Sequence, residues 1–318
     1  MSILIETRNL KKYFNTPKGL LHAVDDVSLQ IEHGKTLGIV GESGCGKSTF
    51  GRLLLHLLDS TGGQMLFEDK DITNVNKKQI KELRKDMQMI FQDPYASLNP
   101  RMTVSEIIME PLQIYKVYKS RQEYENRVKE LMQVVGLTDK VARSYPHELD
   151  GGRRQRIGVG RALALSPKFI VCDEPVSALD VSIQAQILNL MQDLQKEFGL
   201  TYIFVTHDLS VVKHISDDIC VMYLGIVVEK CPTKELFKKQ YHPYTKALLS
   251  AIPRPSLKRN DQRIVLKGEL TSPINPGPAC RFASRCAEAK EICRRESPVY
   301  GEVTPGHFTA CHFAHNFK

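Results

Sequence analysis

The sequence lacks an apolar run of the roughly 18 residues that a membrane-spanning helix needs, and it also lacks internal repeats and low-complexity tracts. We therefore expect a chain that does not cross a membrane by itself. Near the amino terminus, Glu6 and Arg8 occur before an apolar segment can form, so no secretory signal is expected and the chain is expected to remain in the cytoplasm. In that compartment, the eight cysteines argue against a disulfide framework.

The composition is that of a folded protein. With 318 residues, of which 42% are hydrophobic and 25% charged, the chain can bury the core of one large domain or two modest ones. The net charge is +8, and residues 254–318 hold eleven Lys and Arg against six Asp and Glu. A basic tail is typical of proteins that bind anionic lipid or nucleic acid, but this tail also holds four cysteines whose thiolates the positive charge could offset.

Short β-rich runs alternate with helical patterns over residues 1 to about 92 and about 165 to 235, which predicts an open α/β sheet. The runs are TLGIV, MQMIF, KFIVCDE, TYIFVTHD and DICVMYLG. Between them, residues 93–164 carry apolar residues at spacings of three and four, so a helical insert is predicted. From about residue 253 the chain is rich in Pro, Gly and Cys, as expected of a small separate module with little core of its own.

A glycine-rich segment, GESGCGKST at residues 41–49, follows an apolar run and precedes a helical pattern. This order of strand, loop and helix is that of a P-loop, in which backbone N–H groups converge on phosphate oxygens. Lys47 is then expected to neutralise the β- and γ-phosphates, and the Ser48 hydroxyl to bind Mg²⁺. Cys45 lies inside the loop and predicts sensitivity to thiol reagents.

An acid pair, Asp173-Glu174, ends the apolar run that begins at Phe169. The carboxyl ends of buried strands are where α/β proteins bind ligands. Asp173 is therefore expected to hold Mg²⁺, directly or through water, and Glu174 to act as the general base on the attacking water.

Six motifs in this order and spacing resemble the ATPase subunits of ABC transporters. They are the P-loop, Gln92, the segment 149–156, Asp173-Glu174, the segment 177–180 and His207. The segment HPYTKALLSAIP at residues 242–253, together with the cysteine tail, is similar to the oligopeptide/dipeptide importer branch, and closest to its dipeptide-importer F-type subunits. The resemblance implies a P-loop NTPase core over residues 1–240 with an inserted α-helical subdomain at about 93–164, and a small irregular metal-binding extension at 241–318.

The resemblance also implies roles for individual residues. Glu174, His207, Lys47 and Gln92 would be catalytic, with Gln92 joining Ser48 and Asp173 around Mg²⁺. Tyr13 would stack on adenine, and His207 would contact the γ-phosphate. The implied ATP contacts are Tyr13, Gly41, Ser43, Gly44, Cys45, Gly46, Lys47, Ser48, Thr49, Gln92 and His207.

The signature segment departs from the family pattern. Most members have Ser-Gly-Gly-Gln where this chain has Asp150, Gly151, Gly152 and Arg153. In the family, this loop closes over ATP that is bound to the partner subunit, so a carboxylate there opposes the phosphates. We expect Asp150 to cap the following helix or to pair with a nearby arginine; the alternative is a weakened composite site. Asp180 is expected at the dimer seam, at a helix N-cap, or both.

The tail cysteines, Cys280, Cys286, Cys293 and Cys311, follow one another at intervals that lack the Cys-x₂-Cys pairs of many zinc sites. Four thiolates suit zinc or an iron–sulfur cluster, and unligated thiols are a further alternative. The resemblance implies a four-iron four-sulfur cluster, whose charge the four arginines at positions 281, 285, 294 and 295 would offset. His307 and His312 are close enough in sequence to compete with Cys311.

The resemblance implies an ATPase, with ATP and Mg²⁺ as cofactors, that powers import of di- or oligopeptides or a related small solute. Its partners would be two transmembrane permeases, a paralogous ATPase in a heterodimer or a second copy in a homodimer, and indirectly an extracytoplasmic binding protein. It would lie on the cytoplasmic face of the membrane as a peripheral subunit, and no nucleic-acid partner is expected. The alternatives are an ABC ATPase acting on nucleic acid or the ribosome, and a nucleotide-binding regulator with weak hydrolysis.

Overall fold

The computed structural model describes residues 2–252, 263–266, 268 and 272–314. Residues Met1–Asn74 and Phe204–Lys318 belong to one unit, called unit 1 below, and Val75–Ile203 form unit 2. Pro253, the last residue of the motif at 242–253, and parts of the expected extension at 241–318 lie outside the described residues. Within the described ranges, no helix is both long and apolar enough to span a bilayer.

The regular elements are numbered here in chain order. The strands are β1 (Ile3–Thr16), β2 (Gly19–Glu32), β3 (Thr36–Val40), β4 (Gly62–Phe67), β5 (Lys70–Asp71), β6 (Met87–Ile90), β7 (Phe169–Asp173), β8 (Thr201–Val205), β9 (Asp218–Tyr223), β10 (Ile226–Pro232), β11 (Gly301–Thr304) and β12 (His307–Thr309). The α-helices are α1 (Lys47–Leu54), α2 (Lys77–Asp86), α3 (Pro94–Ser97), α4 (Val104–Ile114), α5 (Arg121–Val134), α6 (Gly151–Leu163), α7 (Val181–Phe198), α8 (Leu209–Ile215), α9 (Thr233–Lys238), α10 (Pro243–Ser250) and α11 (Glu291–Arg295). Short 3-10 turns occur at Asp139–Val141 and Pro146–Glu148.

The five predicted β-rich runs all form strands, which become β3, β6, β7, β8 and β9. Every residue of β3, β7 and β8 is buried. Such continuous apolar runs are typical of parallel strands covered on both faces. In agreement, β3 pairs in parallel with β9 in unit 1, and β6 pairs in parallel with β7 in unit 2.

Unit 1 also contains an antiparallel sheet that the sequence did not predict. Its strand order is β2-β1-β4-β5, and the long hairpin of β1 and β2 carries several register shifts. Many side chains of this hairpin are half-exposed, and strict alternation of buried and exposed residues is confined to residues 27–32 at the end of β2. This sheet carries Tyr13 on β1.

The stretch 93–164, all of which the structure describes, has only helical regular elements. Capping boxes start two of its helices: Thr103 with Glu106 begins α4, and Ser120 with Glu123 begins α5. Apolar side chains of α4, α5 and α6 form the core of this helical layer in unit 2.

The described residues 272–314 pack within unit 1 rather than as a separate module. Strand β12 pairs antiparallel with β10, and β11 pairs with β12. The Phe282 ring lies against Tyr223 and Tyr244, with ring centroids 5.2 and 5.4 Å away. The extension therefore shares the core of unit 1, which composition alone did not indicate.

Candidate functional site

The glycine-rich loop joins β3 to α1, as predicted. Gly41 has φ 151° and Gly46 has φ 104°, both in the region that favours glycine. A Cβ at Gly41 would lie 2.2 Å from the Met222 carbonyl oxygen, and one at Gly46 would lie 2.1 Å from that of Ala23. Both positions therefore require glycine, and the neighbouring backbone fixes the shape of the loop.

Lys47 is the first residue of α1 and is 5% exposed. Its ammonium group donates to the carbonyl oxygens of Gly41 and Glu42, at 2.8 and 2.9 Å. Ser48 and Thr49 follow in the first turn, and Ser43 and Gly44 are exposed at the loop surface. The cation and the start of the helix thus lie on one short segment, which suits binding of an anion.

Cys45 is fully buried behind this loop, and burial raises the pKa of its thiol. A buried thiol that stays protonated reacts slowly, because the thiolate is the nucleophile. The burial of this thiol therefore does not support the expectation that Cys45 makes the site sensitive to thiol reagents.

His207 is exposed two residues after β8, beside the strand that leads into the loop. The preceding Thr206 N–H donates to the carbonyl of Ile39 in β3, at 3.1 Å. Asp208 then caps α8 by accepting from Ser210 N–H at 2.7 Å. These contacts fix the backbone on both sides of His207.

Tyr13 lies on β1, and its ring stacks on His22 with centroids 3.9 Å apart. The Tyr13 hydroxyl donates to the Asp25 carboxylate, which also bonds His22 Nδ1 at 2.8 Å. Burial, followed by the bond to Asp25, raises the pKa of Tyr13. The stacking predicted for Tyr13 needs only one ring face, and His22 covers the other.

In unit 2, the predicted acid pair ends strand β7. Asp173 is its last residue and is 2% exposed. Glu174 has φ 46°, an uncommon backbone conformation for glutamate that often marks a functional constraint. Gln92 Nε2 donates to Glu174 Oε2 at 3.0 Å, across 82 residues of sequence. The two residues predicted separately as catalytic are therefore in direct contact.

Asp150 is the N-cap of α6, as expected. Its Oδ1 accepts from the Arg153 N–H at 2.8 Å, and its Oδ2 lies 3.4 Å from Arg153 Nε. The Arg154 and Arg156 side chains instead donate to the carbonyls of Pro146 and Val135. Capping and pairing with Arg153 therefore occur together.

The two signature glycines approach neighbouring side chains closely. A Cβ at Gly152 would lie 2.7 Å from Ile183 Cγ2 of α7, and one at Gly151 would lie 3.0 Å from Leu179 Cδ2. Asp180 occupies the N-cap position of α7, but its side chain makes no capping hydrogen bond. Asp180 is exposed.

The four tail cysteines line one pocket in unit 1, together with His242, Phe282 and His312. Burial raises the pKa of the Cys280 and Cys286 thiols, and raises that of Cys311 to about 11. In the part of the chain that the structure describes, no three His, Cys, Asp or Glu side chains converge closely enough to hold a metal ion. The expected ligand set is therefore gathered around one pocket but is not assembled in metal-binding geometry. His307 bonds to Glu229 instead.

Several contacts to the loop come from residues that the sequence did not single out as partners. The Glu42 N–H donates to the Tyr244 hydroxyl at 2.8 Å, and the Glu42 carboxylate pairs with Arg285. Arg281 pairs with Asp25. Arg281 and Arg285, expected to offset a cluster, thus have carboxylate partners on the side of the glycine-rich loop. The partners in these contacts are more than 200 residues apart, so the sequence did not indicate that they meet.

Two protein-family models match this chain. The model described as ABC transporter matches residues 24–177. The model described as the C-terminal region of oligopeptide/dipeptide transporters matches residues 228–293.

Curated relatives match over nearly the whole chain. The oligopeptide transport ATP-binding protein AppF of Bacillus subtilis (strain 168) is 53% identical, over 97% of this chain and 97% of its own. The oligopeptide transport ATP-binding proteins OppF of Escherichia coli (strain K12) and Haemophilus influenzae are 52% and 50% identical. Those matches cover 94% and 98% of this chain, and 90% and 94% of theirs.

Solved structures share the fold. The ATP-binding cassette MJ0796, a dimer in a post-hydrolysis state bound to ADP and Pi, aligns with a TM-score of 0.67 and 28% identity, over 72% of this chain and 99% of its own. The structure of cbiO1 from Clostridium perfringens, part of the ABC transporter complex cbiONQ, aligns with the same score and identity, over 75% and 92%.

Proposed function

This chain belongs to the ATP-binding proteins of the oligopeptide/dipeptide branch of ABC transporters, and on that basis we propose which of its residues bind and hydrolyse the nucleotide. It is an ATPase that powers peptide import through a membrane ABC transporter. The alternatives that act on nucleic acid or the ribosome, or regulate without transport, receive no support, since the relatives named above are transport ATP-binding proteins over most of their length.

The observation that carries the proposal is the glycine-rich loop with Lys47 at the start of α1. In the proposed site, N–H groups of residues 43–49 and the Lys47 ammonium bind the phosphates, and Tyr13 stacks on adenine. Ser48, Gln92 and Asp173 offer the oxygen ligands that Mg²⁺ prefers. Bound Mg²⁺ would neutralise charge on the phosphate oxygens.

Hydrolysis requires a base and a group that contacts the γ-phosphate. We assign Glu174 as the general base that takes the proton of the attacking water, with its carboxylate oriented by the Gln92 amide. His207 is assigned to the γ-phosphate. Residues 150–153 and Asp180 are assigned to the seam with a second ATPase subunit, where they would complete the site of that partner.

The proposed partners follow from the same family membership. The chain works with membrane permeases; the finer assignment is two permeases, a paralogous ATPase and an extracytoplasmic binding protein, with this chain peripheral on the cytoplasmic face. The proposed domain division is 1–240 for the ATPase, with its helical subdomain at about 93–164, and 241–318 for the extension.

The test of the assigned base is Glu174→Gln. The variant should bind ATP as the parent does, should hydrolyse it at least about 100-fold more slowly, and should accumulate as a closed dimer with ATP and Mg²⁺. Phosphate release and size-exclusion chromatography measure these outcomes. Glu197→Gln, on the exposed side of α7, is the matched control and should leave the rate of hydrolysis and the dimer population unchanged. Normal steady-state hydrolysis by Glu174→Gln would refute the assignment.

For the extension, we propose that Cys280, Cys286, Cys293 and Cys311 hold a four-iron four-sulfur cluster, with zinc as the alternative. The shared pocket supports this donor set, and the thiols must lose their protons and reorient to bind metal. Chain purified without oxygen should contain iron and absorb visible light, and Cys286→Ser should lose both. Zinc without iron favours the alternative, and a metal-free, colourless parent rejects both.

A further inference from the structure

The glycine-rich loop carries a carboxylate, Glu42, that is held by an arginine from the far end of the chain. Arg285 Nη1 donates to Glu42 Oε2 at 2.6 Å, and Nη2 donates to Oε1 at 3.0 Å. The Arg285 side chain is only 8% exposed and that of Glu42 is 27% exposed. Such a bidentate ion pair fixes both the position and the orientation of the carboxylate.

A carboxylate in this loop is unfavourable for the proposed substrate, because ATP brings several negative charges to the same segment. The Arg285 guanidinium neutralises that carboxylate within the loop. A second contact from the extension acts on the same residue, since the Glu42 N–H donates to the Tyr244 hydroxyl. Glu42 is thus bound through its backbone and its side chain by residues of 241–318.

The turn that carries Arg285 also contacts the side of the proposed site where Tyr13 would bind adenine. Arg281 pairs with Asp25, whose carboxylate accepts from the Tyr13 hydroxyl. The turn is closed by N–H groups of Ala283 and Cys286, which donate to the carbonyls of Cys280 and Phe282. Its orientation is fixed by Phe282, which is 2% exposed and packs on Tyr223 and Tyr244.

We propose that Arg285 is a positioning residue of the ATP site: by holding and neutralising Glu42, it lets the glycine-rich loop accept the triphosphate, so the extension sets the affinity for ATP. This inference rests on the proposed function, because it assumes that the loop binds ATP. The proposed role of Arg285 differs in one respect from that of an ion pair that only stabilises the fold. An ion pair of that kind would affect folding only. Charge neutralisation instead predicts that removing the Glu42 carboxylate restores the ATP affinity that is lost when Arg285 is removed.

The test compares Arg285→Gln with the double variant Glu42→Gln/Arg285→Gln. The single variant leaves a bare carboxylate in the loop and should bind ATP about 5- to 20-fold more weakly, a range usual for coupled sites. The double variant should return to within about threefold of the parent, and Arg285→Lys should recover part of the loss. Fluorescent-ATP titration gives the affinity, and steady-state assays should show the change in KM more than in kcat.

Arg295→Gln is the matched control, because Arg295 pairs with Glu291 at the exposed surface of the same extension. It should bind ATP as the parent does. If Arg285→Gln does not fold, Glu42→Gln decides alone: it leaves the guanidinium beside the loop, so affinity should be equal or higher, and weaker binding overturns the inference.

Two results overturn the inference while leaving the proposed function intact. One is that the parent binds ATP and the Arg285→Gln variant binds it with equal affinity. The other is a double variant as weak as the single one, which would indicate an ion pair that only stabilises the fold. A parent that binds no ATP would instead refute the proposed function.

Discussion

Asp150 shows how one side chain can change the chemistry of a motif without changing its backbone. Its carboxylate caps α6 and pairs with Arg153, so the negative charge at the helix start is matched locally. Both side chains are more than half exposed, so the ion pair adds little beyond the cap. We infer that the cap, rather than the charge, is what Asp150 supplies.

Two substitutions at Asp150 separate these contributions. Asp150→Ser keeps an oxygen that can cap α6, so stability should stay within about 0.5 kcal/mol and ATP turnover within about threefold of the parent. Asp150→Ala removes the cap and should lower the free energy of unfolding by about 1 kcal/mol. Urea unfolding and phosphate release by the assembled ATPase dimer measure both. A large gain in turnover for Asp150→Ser would show that the carboxylate opposes ATP in the partner's site.

At this scale, the motifs predicted which residues to examine but not which residues they meet. Asp173 and Glu174 could be placed at a strand end because a buried apolar run precedes them. The bond from Gln92 to Glu174 joins residues that are far apart in sequence, and so does the pair of Arg285 with Glu42. Arg285 stands next to Cys286, so its sequence neighbours indicated a role beside the thiols instead.

At the scale of elements, helix α6 approaches α7 through a glycine. The close contact of Gly152 with Ile183 leaves no room for a Cβ, whereas an added Cβ at Gly158, in the same helix, would lie more than 4 Å from every described heavy atom outside its chain neighbours and the nearby helix backbone. Packing against α7 therefore requires glycine at position 152 but not at position 158.

Gly152→Ala and Gly158→Ala form a matched pair of variants in one helix. Gly152→Ala should push α6 from Ile183, lowering the free energy of unfolding by about 1–3 kcal/mol and reducing ATP turnover. Gly158→Ala should be neutral or should stabilise by up to about 1 kcal/mol, because alanine favours the helix. Urea unfolding checks both, and adding Ile183→Ala to Gly152→Ala should recover part of the loss. Equal effects of the two alanines would contradict the contact.

Elements with one strong pattern were predictable, and those with a broken pattern were not. Strands β3, β7 and β8 are short, mostly apolar and wholly buried, so their apolar runs identify them. The pairing of β1 with β2 contains register shifts that interrupt the two-residue period over most of β1, and polar or charged residues occupy the exposed positions. Regular alternation of buried and exposed residues is confined to the end of β2, at residues 27–32, so most of these two 14-residue strands lack the period-two signal.

At the scale of the whole chain, a buried carboxylate ties the extension to the sheet of unit 1. Glu229 on β10 is fully buried and accepts from the N–H groups of Tyr241 and His242, at 2.7 and 3.1 Å. Its Oε1 also lies 2.7 Å from His307 Nε2 on β12. Residues from three parts of the chain thus depend on one side chain.

Glu229→Ala would leave these buried groups without their acceptor. We expect the free energy of unfolding to fall by about 3–5 kcal/mol, as is usual when one partner of a buried pair is removed. Glu235→Ala is the control, because Glu235 pairs with Lys238 at the surface and should cost less than about 1 kcal/mol. Thermal and urea unfolding measure both, and equal stability of the two variants would contradict the anchoring role of Glu229.

The pairing of β12 with β10 has a practical consequence. Strand β10 is mostly buried and apolar, with Val227, Val228 and Cys231 among its core residues, and its outer hydrogen-bonding side is occupied by the last strands of the chain. A protein cut before residue 300 would expose that side as a ready template for another strand. Shortened versions should therefore polymerise edge to edge and precipitate, even where their nucleotide-binding half is intact.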